Sequence, residues 1–148
     1  MKKSGLHSWR KLVDAQVREK KLALARARQL AGRCAEIEEA LLAERARRDD
    51  EERRRREAGE LPDFARERMT ALLERALERA REKLAAARTG EERALAGLRE
   101  SFTRATAVER LIDRRDARDE ADRMRAEQKE IDEVATRRAA ASLTETRR

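Results

Sequence analysis

Side chains able to do covalent or acid–base chemistry are scarce here: 148 residues hold one histidine, His7, and one cysteine, Cys34. A metal site or a nucleophile–base pair needs two or three such groups to converge, and His7 has no partner of that kind. Cys34 reads as a small core residue of a helix. Standing alone, it forms no internal disulfide and suits a reducing cytosol. The 31 carboxylates are interleaved with 38 lysines and arginines. Beside arginines on open helix faces, they lack the pocket that would separate two carboxyl pKa values for general acid and base. No glycine-rich phosphate loop of the Walker type occurs. The expectation is a protein that is not an enzyme, with no cofactor, no metal and no small-molecule substrate. What chemistry remains is that of holding a partner.

Composition states which elements must position such contacts. Charged residues make up 47% of the chain, and there are two Phe, one Trp, no Tyr, five Gly and one Pro. One globular core of this length needs more apolar and aromatic side chains. Disorder would bring more Pro, Gly and Ser and no periodicity. Ala, Arg, Glu and Leu dominate instead, and all four are strong helix formers. No stretch is apolar enough for a secretory signal or a bilayer span.

The one clear break is Ala58-Gly59-Glu60-Leu61-Pro62-Asp63. Gly59 can take the left-handed conformation that ends a helix, Pro62 fits the first turn of the next, and Asp63 suits its positive end. The expected fold is all-α: a single two-helix antiparallel coiled-coil hairpin over 1–148, with an overhanging C-terminal helix. Helix 1 is expected over about 8–57, the turn over about 58–61 and helix 2 over about 62–141. In helix 1 the heptad stripe runs through Trp9, Val13, Gln16, Lys20, Ala23, Ala27, Leu30, Cys34, Ile37 and Leu41. In helix 2 it runs through Leu77, Leu84, Glu91, Leu98, Ala105 and Ile112, with the companion series Leu73, Ala80, Ala87, Ala94, Ser101 and Val108. Thr89-Gly90-Glu91-Glu92 has the look of a capping box, but the heptad phase passes through it unshifted, so helix 2 is read as continuous. Gly90 and Gly97 each cost about 1 kcal/mol against Ala in a helix interior. A turn near residue 60 sets residue i against 120 − i, which pairs Trp9 with Leu111 and Leu41 with Arg79.

Three stretches depart from this seam. Asp49–Arg53, Asp50–Arg54, Glu51–Arg55 and Glu52–Arg56 are spaced i, i+4, and each such pair supports a solvated helix by about 0.2–0.5 kcal/mol. Opposite them, Phe64, Met69, Leu72 and Leu73 form an apolar strip, either a partner surface or packing across the tip. Residues 113–148 carry ten acids, ten bases and a new stripe through Ala117, Ala121, Met124, Gln128, Ile131 and Ala135. A narrow stripe with no intramolecular partner suggests an intermolecular one, the alternative being a solvated tail. The first 33 residues hold ten bases and two acids, and the remaining residues sum to about −1, so the basic character belongs to the end bearing both termini. It would steer an acidic partner. Nucleic acid is the disfavoured partner, because stacking aromatics and recognition-module signatures are missing.

Lys11-Leu12-Val13-Asp14 through Glu19-Lys20-Lys21 and Ala25-Arg26, together with Glu127-Gln128-Lys129-Glu130-Ile131-Asp132-Glu133-Val134-Ala135 and Arg137-Arg138-Ala139, resembles the FliJ family of flagellar export proteins. The pattern Gln-Lys-x-x-Asp-Glu-x-Ala is the most distinctive part, and chain length and hairpin layout agree along nearly the whole chain. The resemblance implies a cytoplasmic component of the flagellar type III export apparatus, similar in shape to the central stalk subunit of rotary ATPases. Its partners would be the export ATPase ring, the membrane export gate and export chaperones, which would hold it at the inner face of the membrane. Carried over by position, Trp9, Arg10, Lys11, Leu12, Val13, Met124, Gln128, Ile131, Asp132 and Glu133 would face the ATPase. Phe64, Met69, Leu72 and Leu73 would face the gate or chaperones. FliJ proteins often carry aromatics near the end of helix 1, where residues 44–57 of this chain have none. The stalk protein of virulence-type secretion systems shares the architecture. A self-associating structural coiled coil and a basic nucleic-acid accessory protein stand as the readings from other classes.

Overall fold

The computed structural model describes residues 3–147 and consists of two helices, α1 Lys3–Glu57 and α2 Phe64–Thr146. They pack antiparallel as a helical hairpin, and the described residues contain no strand. Lys2 and Arg148, counted above in the charge of their segments, lie outside the described residues. The boundaries correct the sequence reading at three of the four helix ends. α1 starts at Lys3 rather than near residue 8, so His7 is part of a regular helix rather than a frayed end. The cause is Leu6, which is buried and ties the first turns down. At its far side α2 persists to Thr146.

The turn follows from backbone hydrogen bonding. Glu60 N–H donates to Arg55 O and Gly59 N–H to Arg56 O, both at 3.0 Å, with Gly59 at φ 80°. This is the Schellman arrangement, which needs a left-handed residue and so favours glycine. Asp63 then caps α2: its Oδ1 accepts from Ala65 N–H at 2.9 Å and its carbonyl from Glu67 N–H at 3.0 Å. Because the cap is Asp63, α2 begins at Phe64 and Pro62 lies just outside it. Arg66 clasps the turn, donating to Leu61 O at 3.2 Å with Glu52, Glu60 and Asp63 around its guanidinium.

Two compact units divide the chain, Asp14–Thr103 and the pair of segments Met1–Val13 and Arg104–Arg148. In the first unit the core comprises Val17, Leu24 and Ala31 from α1 with Leu77, Ala80, Leu84, Ala87, Leu98 and Ser101 from α2. Leu77 is its most enclosed side chain, 1% exposed. Fully burying one such leucine stabilises by about 1.5–3 kcal/mol. In the second unit Leu6, Val13, Val108 and Ile112 form one cluster with Ala105 against it.

All the buried α2 residues lie on the expected seam. The α1 seam is half corrected: on its first line Val13 is buried, Ala27, Cys34 and Leu41 are half-buried and Lys20 is exposed, while the companion line that is buried is Val17, Leu24 and Ala31; of the expected companion, Trp9, Ala23, Leu30 and Ile37 are exposed and Gln16 is half-buried. Both lines are apolar and both flank the shared one, so periodicity does not choose between them. Arg28–Glu91 (3.4 Å), Arg81–Glu38 (3.3 Å) and Arg45–Glu74 (2.9 Å) set residue i against 119 − i, one residue from the expected register. Arg10–Glu109 at 3.2 Å obeys the same relation in the other unit. α2 runs unbroken through Gly90; Thr89 Oγ1 donates to Ala85 O at 3.0 Å, so it serves a helix interior rather than a cap.

Candidate partner-binding surfaces

Toward the tip the seam turns polar. Leu41, Glu44, Arg45, Arg48, Glu52 and Arg55 occupy half-buried positions on α1, and none is fully buried. The four expected i, i+4 pairs are not the ones formed. Arg45 pairs with Asp49 (4.0 Å) and Arg47 with Glu51 (2.7 Å), while Arg53 pairs with Asp50 one turn back and Arg66 approaches Glu52 (3.9 Å). The arginines preceding the acidic run are within reach, so the carboxylates turn back to them. Glu44 accepts from Arg47 and Arg48 together, and these hydrogen bonds hold its carboxyl down at about 2. Across from this charged mesh, Phe64 is 77% exposed, Met69 and Leu72 are exposed, and Leu73 is half-buried. The strip therefore does not pack across the tip, and three of its four members face solvent.

In the unit holding both termini, the residues assigned to one partner face separate into three groups. Val13 is 3% exposed within the Leu6–Val108–Ile112 cluster, so it belongs to the hairpin's own core and is withdrawn as a contact residue. Trp9 and Leu12 are exposed one turn apart, with Lys11 beside them. Leu111, next to the position that the register sets against Trp9, is also exposed, which adds a residue the sequence reading paired with Trp9 but did not count in the site. Arg10 leans on Glu109. Met124, Gln128, Ile131, Asp132 and Glu133 form the third group, on α2 beyond the start of α1. Met124 lies 14 residues past the position facing Trp9, about 21 Å along the helix at 1.5 Å per residue. The structure thus gives two stretches of surface, not one patch.

The overhang is helical yet wholly solvated. From Asp116 to Arg147 every residue is exposed, including Met124, Ile131, Val134 and Leu143. Its order rests on local contacts: Arg123 with Glu120, Arg125 with Asp122 at 3.6 Å, and Gln128 donating to Asp132 at 2.9 Å. Ile131, Val134 and Ala135 line a shallow groove with Glu130 and Arg138 at its edges. Val134 was missed because it lies one step off the stripe through Ile131 and Ala135. The seam ends at Ile112 and the stripe resumes at Ala117, five residues on. At about 100° per residue that step carries the apolar line to the opposite side of α2. The stripe is a separate surface, not the seam prolonged.

Among the described residues no helix is long and apolar enough to cross a membrane, and no group of three His, Cys, Asp or Glu could hold a metal ion. No protein-family model, no curated protein and no solved structure matches the chain.

Proposed function

We propose that this chain is a non-enzymatic stalk and coupling component of the flagellar type III protein export apparatus, acting in the cytoplasm at the inner face of the membrane. In this reading the end bearing both termini enters the ring of the export ATPase. The tip strip Phe64, Met69 and Leu72 meets the export gate or export chaperones. The observation that carries the reading is the overhang, a helix ordered through Thr146 whose apolar stripe no other described residue covers. The same segment holds the FliJ-like Gln128-Lys129-x-x-Asp132-Glu133-x-Ala135 motif. An exposed stripe on a charged helix suits a partner that closes around it, and the basic first turns of α1 supply attraction.

Charge reversal at Arg10, Lys11, Arg18, Lys20 and Lys21 tests the electrostatic half of the reading. With purified export ATPase, the reversed chain is expected to associate roughly tenfold more slowly at low salt, with the difference shrinking as salt screens the patch. Unchanged association at low salt overturns the role given to that patch.

A further inference from the structure

Within Asp14–Thr103 the two sides of the hairpin use their charges differently. On one side Arg28–Glu91, Arg81–Glu38 and Arg45–Glu74 tie the helices together, and the Lys21 ammonium lies 5.3 Å from the centroid of the Phe102 ring. On the other side an open groove of about 380 Å³ runs between the helices, floored by Ala27, Leu30, Cys34, Ala86 and Gly90 and edged by Lys83. Helical periodicity sets Arg26 and Arg33 along its α1 rim, and Arg79 and Arg93 beside Lys83 along its α2 rim. The same periodicity sets no carboxylate on this side over 23–37 and 79–93. Arg26, Arg33, Lys83 and Arg93 form no ion pair among the described residues.

Gly90 adds an independent observation. A Cβ built there meets nothing within 4 Å, so the hairpin's own packing does not demand glycine at a position where glycine weakens the helix. What the glycine does is keep the groove open on its α2 side.

We infer that this groove is a docking site for an acidic amphipathic helix of a partner protein. Its apolar side lies on the Ala27–Leu30–Ala86–Gly90 floor, and its carboxylates meet the cations of both rims. Nucleic acid would neutralise the rims but leave the apolar floor uncovered. A second copy joined groove to groove would set like charges against one another. The inference is independent of the export reading and concerns a surface that reading does not use.

The test uses the full chain and two fluorescent helical peptides of about 20 residues with the same leucine–alanine stripe, one flanked by glutamates and one by lysines. Fluorescence anisotropy at physiological salt is expected to show saturable binding of the glutamate peptide, with the lysine peptide at least roughly tenfold weaker. Gly90→Leu fills the groove and is expected to weaken the glutamate peptide at least roughly tenfold, while its melting temperature equals or exceeds that of the wild type. The double variant Arg33→Glu, Lys83→Glu is expected to lose binding without filling the groove. Equal binding of the two peptides, or undiminished binding to either folded variant, overturns the proposal. So does a DNA duplex that binds the wild type more tightly than the glutamate peptide, or a wild-type dimer that Gly90→Leu dissociates.

Discussion

Between Leu77 and Ile112, α2 buries eight side chains: Leu77, Ala80, Leu84, Ala87, Leu98, Ser101, Val108 and Ile112. From Asp116 to Thr146 the same helix buries none, although it carries Met124, Ile131, Val134 and Leu143. The difference is not one of helix propensity, since both stretches are built from Ala, Arg and Glu. It is one of phase and of partner. The first stretch keeps its apolar line on the side that α1 covers. The second moves its line around the helix near the level at which α1 begins. One stretch holds the fold, and the other is free to hold something else.

Substitutions can break this comparison. The largest effect is expected from Leu84→Asp, which sets a charge in the seam; it should cost several kcal/mol and lower the melting temperature by about 10 °C or more. Circular dichroism melting checks it, and an unchanged Tm would mean that the seam is not what holds the hairpin. Ile131→Asp, the same chemistry on the overhang, should shift stability by no more than about 0.5 kcal/mol. A loss comparable to that of Leu84→Asp would show the overhang to be part of the fold after all.

The smallest effect concerns Glu44 at the charged end. Its folded pKa is lowered from 4.5 to about 2 by Arg47 and Arg48. A depressed carboxylate contributes stability that is present above pH 4.5 and lost as pH falls towards 2. The gap in melting temperature between wild type and Glu44→Gln should therefore be widest near neutral pH and close on acidification. Solvent screening at this half-buried surface position keeps that gap small. A gap that widens on acidification would contradict the assigned pairing.

The α2 seam was legible because its leucines and alanines form one line with no competing apolar line beside it. α1 carries two such lines, and the sequence reading chose the one marked by its largest side chains, Trp9, Leu30 and Ile37. Burial fell to Val17, Leu24 and Ala31 because the identity of the facing helix surface, not residue size, decides which flank is covered. That choice has consequences for the candidate sites. It leaves Leu30 and Ile37 exposed, opens the groove beside Gly90 and puts the cross-helix ion pairs on the other side, none of which follows from a single helix's periodicity. The turn was readable in outline from Gly59, Pro62 and Asp63. The direction in which Arg45 and Arg47 pair was not, since i, i+4 partners were available both before and after the acidic run.

The most direct test of the account compares the full chain with a chain ending at Ile112, each mixed with purified export ATPase and followed by sedimentation velocity and by ATP hydrolysis. The shortened chain retains every buried residue of the hairpin and is expected to melt within about 2 °C of the full chain. The account predicts that the full chain promotes ring assembly and raises hydrolysis, and that the shortened chain does neither. Equal stimulation by the shortened chain would contradict the assignment of the overhang as the element that docks.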